Sequence, residues 1–224
     1  MNTSIKSKVV FGIGSTLLVL IVALGIWATM YVGKKTELDE TNGLLVRAKT
    51  IAATINPESI KSLSATLDDL NKPAYQDLKS VMTKLHAVNK DTRFVYVMGL
   101  ADDKQFFYVD SEDPNSKDYS YPGQPYNDAD AGDIANHKDG KAYTKGPYVD
   151  QWGRWFSAYA PIWDKDGHVV GLVGMDIAAE NLLLRISIVK QAIMIISSLL
   201  FLSVLLLVIF AQATKRKDVT QAQS

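Results

Sequence analysis

Residues 168–177 read His-Val-Val-Gly-Leu-Val-Gly-Met-Asp-Ile, and Asp176 is the only acidic side chain in that apolar, β-rich run. Alternate side chains of a half-buried strand share a face. Val170, Leu172, Gly174 and Asp176 therefore point one way and Val169, Gly171, Val173, Met175 and Ile177 the other. The second set is wholly apolar and is expected to pack on a helix. The first leaves a carboxylate among small and aliphatic residues, where a charge without a partner costs several kcal/mol. Arg154 or a backbone amide near the strand end is the structural partner to expect, and a ligand is the functional one.

The preceding strand opens on Arg154 and Trp155, with Ser157 and Tyr159 on the face of Trp155. Arginine binds carboxylates through paired hydrogen bonds, and aromatic rings wall small pockets; a Trp/Tyr stripe serves equally as plain core. Tyr96 and Met98 on one strand and Tyr108 and Asp110 on the next are expected on the same side, given a simple hairpin register. Together these residues suggest a small polar ligand, an organic acid or an amino acid, between Arg154 as positive anchor and Asp176 as negative anchor.

Other chemistry finds less support. The acidic stretches around Asp110, Glu112, Asp113 and Asp118, and around Asp128, Asp130 and Asp133, lack the Gly and the final Glu of an EF-hand loop. They are expected to be solvated turns, and no metal site is expected. His86, His137 and His168 show no ligand spacing. Without cysteine there is neither a disulfide framework nor a thiolate site. No Gly-x-Ser-x-Gly elbow or P-loop points to catalysis or a cofactor.

The elements that must position these residues lie between two charge-free apolar runs, 9–32 and 191–214. Each is long enough to cross a bilayer as a helix. The expected organisation is a cytoplasmic tail (1–8), a membrane helix (9–33), an external domain (34–186), a second membrane helix (187–213) and a cytoplasmic tail (214–224). Lys6, Lys8, Lys215, Arg216 and Lys217 bias the tails toward the cytoplasm of an inner (plasma) membrane. The block between the runs carries 19 basic against 23 acidic residues, which argues against nucleic acid or anionic lipid as its partner.

Leu38, Thr41, Leu45, Ala48, Ala52 and Ile55 fall at steps of three and four, so the first helix is expected to run out of the membrane as far as Asn56-Pro57. That face serves either its own domain or, through Leu38, Leu45, Ala52 and Ile55, a parallel homodimer seam. Shorter helices are expected over 57–63 and 73–89, and strands over 94–100, 106–110, 142–149, 154–163 and 168–177. This is an α+β plan, an antiparallel five-stranded sheet with helices on one face.

Five motifs occur in that order: Phe94-Val-Tyr-Val-Met, Phe107-Tyr-Val-Asp-Ser-Glu-Asp-Pro, Tyr121-Pro-Gly, Trp152-Gly-Arg-Trp-Phe-Ser-Ala-Tyr-Ala-Pro and Asp166-Gly-His-Val-Val-Gly-Leu-Val-Gly-Met-Asp-Ile. The segment that carries them closely resembles the extracytoplasmic PAS-like, or Cache, sensor domains of bacterial histidine kinases, diguanylate cyclases and chemoreceptors. The resemblance implies a PAS-like sheet, a lid role for Tyr121, and an acidic residue at Asp176 that holds an amine or anchors the pocket. It implies a sensory receptor that binds a small solute outside the membrane and signals across it. Those receptors continue into output modules, whereas only residues 211–224 follow the second run. A separate cytoplasmic signalling partner or a longer chain is therefore expected. The rival expectation is a two-span structural, assembly or adaptor protein without a small-molecule ligand.

Overall fold

The computed structural model describes residues 3–221. The ends of the two expected tails, 1–2 and 222–224, lie outside it, as do the side chains of 1–8 and 215–224, which include the lysines and arginine behind the expected orientation.

With no proline before Pro57, the first apolar run and the three-four repeat after it form one helix, α1 (Thr3–Thr54). Asn56 then caps α2 (Pro57–Lys61), its side chain accepting from the Glu58 amide, with Pro57 in the first turn where a missing N–H costs nothing. A 3-10 helix (Leu67–Asn71) and α3 (Pro73–Val88) follow. The strands are β1 (Phe94–Ala101), β2 (Lys104–Asp110), β3 (Pro125–Tyr126), β4 (Tyr143–Asp150), β5 (Gly153–Trp163) and β6 (Val169–Ala178). Helix α4 (Ala131–Lys138) precedes β4, and α5 (Ala179–Gln221) follows β6 without a gap.

The sheet is antiparallel and six-stranded, ordered β3-β2-β1-β6-β5-β4, so the expected five strands become six. The addition, β3, has only two residues and includes Pro125, too short for a propensity signal and tolerated because it lies at an edge. Val95, Val97, Phe156, Ala158, Val173, Met175 and Ile177 alternate onto one face and are buried. The opposite face carries an aromatic cluster of Phe94, Tyr96, Phe107, Tyr126, Trp155 and Tyr159 with Met98 and Leu172. Along the part of α1 in the sheet-bearing unit and just past its end, Thr41, Leu44, Ala48, Ile51, Ala52 and Ile55 are buried. Ala52 and Ile55, expected in a dimer seam, are thus enclosed in the core, while Leu38 is exposed.

Packing divides the chain into two compact units, Leu38–Leu183 and the apolar parts of α1 and α5. The second unit has two helices long and apolar enough to cross a membrane, their apolar side chains almost wholly exposed. Within it a Cβ on Gly14 would overlap Val208 and one on Gly25 would crowd Ser197, so the glycines permit the helices to approach closely.

In the larger unit, fully buried Asp69 holds the turn before the 3-10 helix. It accepts from the Ser64 amide (2.9 Å), the Ala65 amide (2.8 Å) and the Ser64 hydroxyl (2.7 Å), and pairs with Lys72 at 2.8 Å. Burial opposes its charge, but Lys72 and the Ser64 donors prevail and hold the carboxyl down at about 2. Because the folded-state value is depressed, the contribution to stability is present above about pH 4, the unfolded range, and is lost as pH falls toward 2. Asp69→Ala should lower the unfolding free energy by about 2–4 kcal/mol at pH 7, with a deficit that shrinks below pH 4, measured by urea titration at several pH values.

Candidate ligand site

Asp176 is 4 % exposed, and its donors are hydroxyls: Tyr96 at 3.1 Å and Ser157, its register partner on β5. Tyr148 extends the chain of hydroxyls to Ser157 (2.8 Å) and Tyr159 (3.1 Å). Tyr96 reaches its place because it sits opposite Gly174, where any Cβ would overlap its ring. Burial raises the Asp176 carboxyl to about 7, and the charges of Asp150 and Asp110 push it the same way.

A cavity of about 20 Å³ lies beside Asp176, room for roughly one water molecule. Its walls are Phe94, Tyr96, Phe107, Tyr126 and Trp152, with Ser120 and four carboxylates, Asp110, Asp118, Asp150 and Asp176. No ammonium or guanidinium group is among these lining residues. Asp110 is 2 % exposed; burial raises its carboxyl to about 6 although the amides of Glu112 and Ser120 donate to it.

Two β-bulges bring these carboxylates together. In β2 the register runs Val97↔Val109 and then Met98↔Phe107, skipping Tyr108. Phe107 and Asp110 consequently share the cavity face although three positions apart. In β4, Gly146 and Pro147 sit between Lys145↔Ser157 and Tyr148↔Trp155. Gly146 has φ +142°, a conformation that side chains rarely adopt. That bulge turns Tyr148 and Asp150 onto the cavity face, where strict alternation would have pointed them away. Asp150 then accepts from the Trp152 amide (2.9 Å), the Gly153 amide (3.1 Å) and Trp155 Nε1 (2.8 Å).

Of the residues expected from sequence, the cavity takes Tyr96, Asp110 and Asp176 as walls, backed by Ser157, Tyr159, Trp155 and Met98 in the adjoining hydroxyl chain and aromatic cluster. Three are not brought there. Arg154 is exposed, because its strand parity opposes that of Trp155, so Asp176 is not paired with it. Tyr108, displaced by the bulge, lies with Phe106 over Gly99. Tyr121 is 45 % exposed on the loop after β2, which contributes Asp118 and Ser120 to the cavity instead.

Sequence reasoning also passed over Arg93, which stacks 4.2 Å over the Phe94 ring and pairs with Glu112 (2.6 Å) and Asp118 (2.8 Å). The Asp-x-Trp-Gly turn was the signal for Asp150 and Trp152; Asp118 and Ser120 lie on an irregular loop and gave none. The acidic stretches are turns and caps: Asp113 accepts from the Asn115 amide, and Asp130 with Asp133 forms a capping box on α4 that Lys145 bridges. Among the described residues no group of three or more His, Asp or Glu is placed to hold a metal ion.

No protein-family model matches the chain, and no curated protein matches it. Solved structures similar to it include sensor domains. The ligand-binding domain of the Campylobacter jejuni chemoreceptor Tlp3 in complex with L-valine is 15 % identical with a TM-score of 0.46, covering 79 % of this chain and 64 % of that one. The same domain in complex with 4-methylisoleucine is 16 % identical with a TM-score of 0.48, covering 73 % and 62 %. The E. coli DcuS sensor domain is 17 % identical with a TM-score of 0.49, covering 68 % and 98 %. The chain thus spans less than two thirds of the Tlp3 domain structures it matches.

The raised Asp176 carboxyl makes a signed pH prediction. A folded-state value of about 7 lies above the unfolded value near 4, so the folded form binds the extra proton between them and stability falls as pH rises through that window. Asp176→Asn should therefore melt several degrees above wild type at pH 8 and at nearly the same temperature at pH 4. An equal gain at both pH values would show that the carboxylate is not the source of the cost.

Proposed function

We propose that the chain is a transmembrane sensory receptor whose external domain binds a small ammonium-bearing solute, an amine or an amino acid, in the acidic aromatic cavity. The observation that carries this reading is the convergence of Asp110, Asp118, Asp150 and Asp176 with five aromatic rings and no lining cation. An ammonium group would offset the desolvation of the buried carboxylates and lie against the ring faces, each such contact worth about 0.5–2 kcal/mol. Plain organic acids, one of the two classes expected from sequence, would face four carboxylates here, with Arg154 elsewhere and the nearby Arg93 already paired with Glu112 and Asp118.

Recognition requires room. A cavity of about 20 Å³ holds no amino acid, so binding selects a more open arrangement of the loop between β2 and β3, which supplies Asp118 and Ser120. Transmission follows the covalent path. Asp176 is two residues from the end of β6, and the next residue, Ala179, begins the helix that contains the second apolar run. A ligand that binds one arrangement of β6 better than another shifts the population of α5 positions by that difference in affinity and no more.

A calorimetric screen of amines, amino acids and dicarboxylates against the full chain in lipid nanodiscs tests this. At least one ammonium compound should bind with an affinity that rises from pH 5 to pH 8, as Asp110 and Asp176 ionise near 6 and 7. Asp176→Asn should weaken it by about 100-fold or more, the loss of a buried charge pair. Binding of dicarboxylates alone, or an affinity that rises toward low pH, would overturn the reading.

A further inference from the structure

The far end of the sheet, away from Asp176, holds an open cleft of about 580 Å³, inside the usual range of roughly 300–1,000 Å³ for small-molecule sites. Leu100, on its wall, is four residues along β1 from Tyr96 of the acidic cavity, about 13 Å at the strand rise, and the two sites share no lining residue. Its lining is also different, with Lys61, His137, Lys138 and His168 beside one carboxylate, Asp139, and an apolar wall.

His137, on α4, lines the cleft and is only 3 % exposed. Gln105, itself 1 % exposed on β2, sets its amide nitrogen 3.2 Å from His137 Nδ1. Accepting that hydrogen bond leaves the imidazole proton on Nε2. Burial holds the ring's pKa down at about 4, so a neutral N–H donor persists throughout the physiological range. Trp163, 47 % exposed, offers a ring to the cleft beside Val170 and Leu100. Lys61 and Lys138 stand at its rim. Each meets a carboxylate, Asp164 at 2.8 Å and Asp103 at 2.5 Å, and an ammonium has three hydrogens to donate.

We propose that this cleft is a second binding site, for a small aromatic carboxylate. The ring lies against Trp163 and the apolar wall, and the carboxylate accepts from His137 Nε2–H and from the ammonium of Lys138. A neutral donor at the cleft wall with ammonium groups beside it suits an anion that carries an apolar body, because the carboxylate keeps hydrogen-bond donors as it leaves water and the ring covers apolar surface. The site is independent of the acidic cavity and stands whether or not that cavity binds an amine.

The test uses a fluorinated phenylacetate, followed by fluorine NMR line broadening on the full chain in nanodiscs. Saturable binding is expected, weakened about tenfold by Trp163→Leu and by Lys138→Gln and unchanged by Asp176→Asn. The corresponding phenylacetamide should bind about tenfold more weakly than the acid. His137→Gln should weaken the acid too; if that variant fails to fold, Trp163→Leu, at a half-exposed position, still decides. Broadening that never saturates, acid and amide of equal affinity, or a Trp163→Leu variant that binds normally would overturn the proposal. So would loss of binding in Asp176→Asn, which would move the acid to the other cavity.

Discussion

Keeping Asp176 in a low-polarity interior with no cation beside it sets the constraint to which the rest of the sheet responds. The charge is tolerated only because hydroxyl groups, from Tyr96 and Ser157 directly and from Tyr148 and Tyr159 behind them, turn toward it. Each of those phenols needs space and a fixed backbone. Gly174 supplies the space for Tyr96, and the β4 bulge supplies the direction for Tyr148. The result is a polar centre whose hydrogen bonds are made yet whose charge has no cation beside it, and the raised Asp176 carboxyl is the consequence.

The same constraint explains why the domain tolerates irregular strands. Strict alternation from Phe107 along β2 and from Tyr143 along β4 would have pointed Asp110 and Asp150 away from the cavity, leaving Asp176 as the strand carboxylate beside the aromatic cluster. Two inserted residues reverse that locally without disturbing the alternation of β5 and β6, where the ladder runs from Trp155↔Ala178 to Ile162↔Gly171 unbroken. Asp110 and Asp150 thus reach the cavity on strands that depart from period two, while Asp176 and Ser157 reach it on strands that keep it.

This contrast marks what was legible in the sequence. The long strands, α1, α3 and the outlier Asp176 were readable because a repeat of two or of three and four, sustained over many residues, outweighs local exceptions. Arg154 was misplaced by adjacency: it neighbours Trp155 in the chain, and that proximity is what puts it on the opposite face. Tyr108 was misplaced by a bulge, which no composition rule reveals when the bulged residue is itself aromatic and β-favouring. Asp118 and Ser120 belong to a loop whose course depends on tertiary contacts, among them Arg93 and the Tyr75–Tyr119 hydroxyl pair, so no local pattern could announce them.

The two strands at the margins of the sheet have a bearing on crowding. β3 ends one margin with two residues, one of them Pro125; β4 ends the other with Lys145 and the Gly146-Pro147 interruption, none of its residues buried. Neither offers a straight run of unpaired amides and carbonyls on which a neighbour's strand could template itself. Such blunted margins disfavour lateral β-pairing between neighbouring copies of the domain.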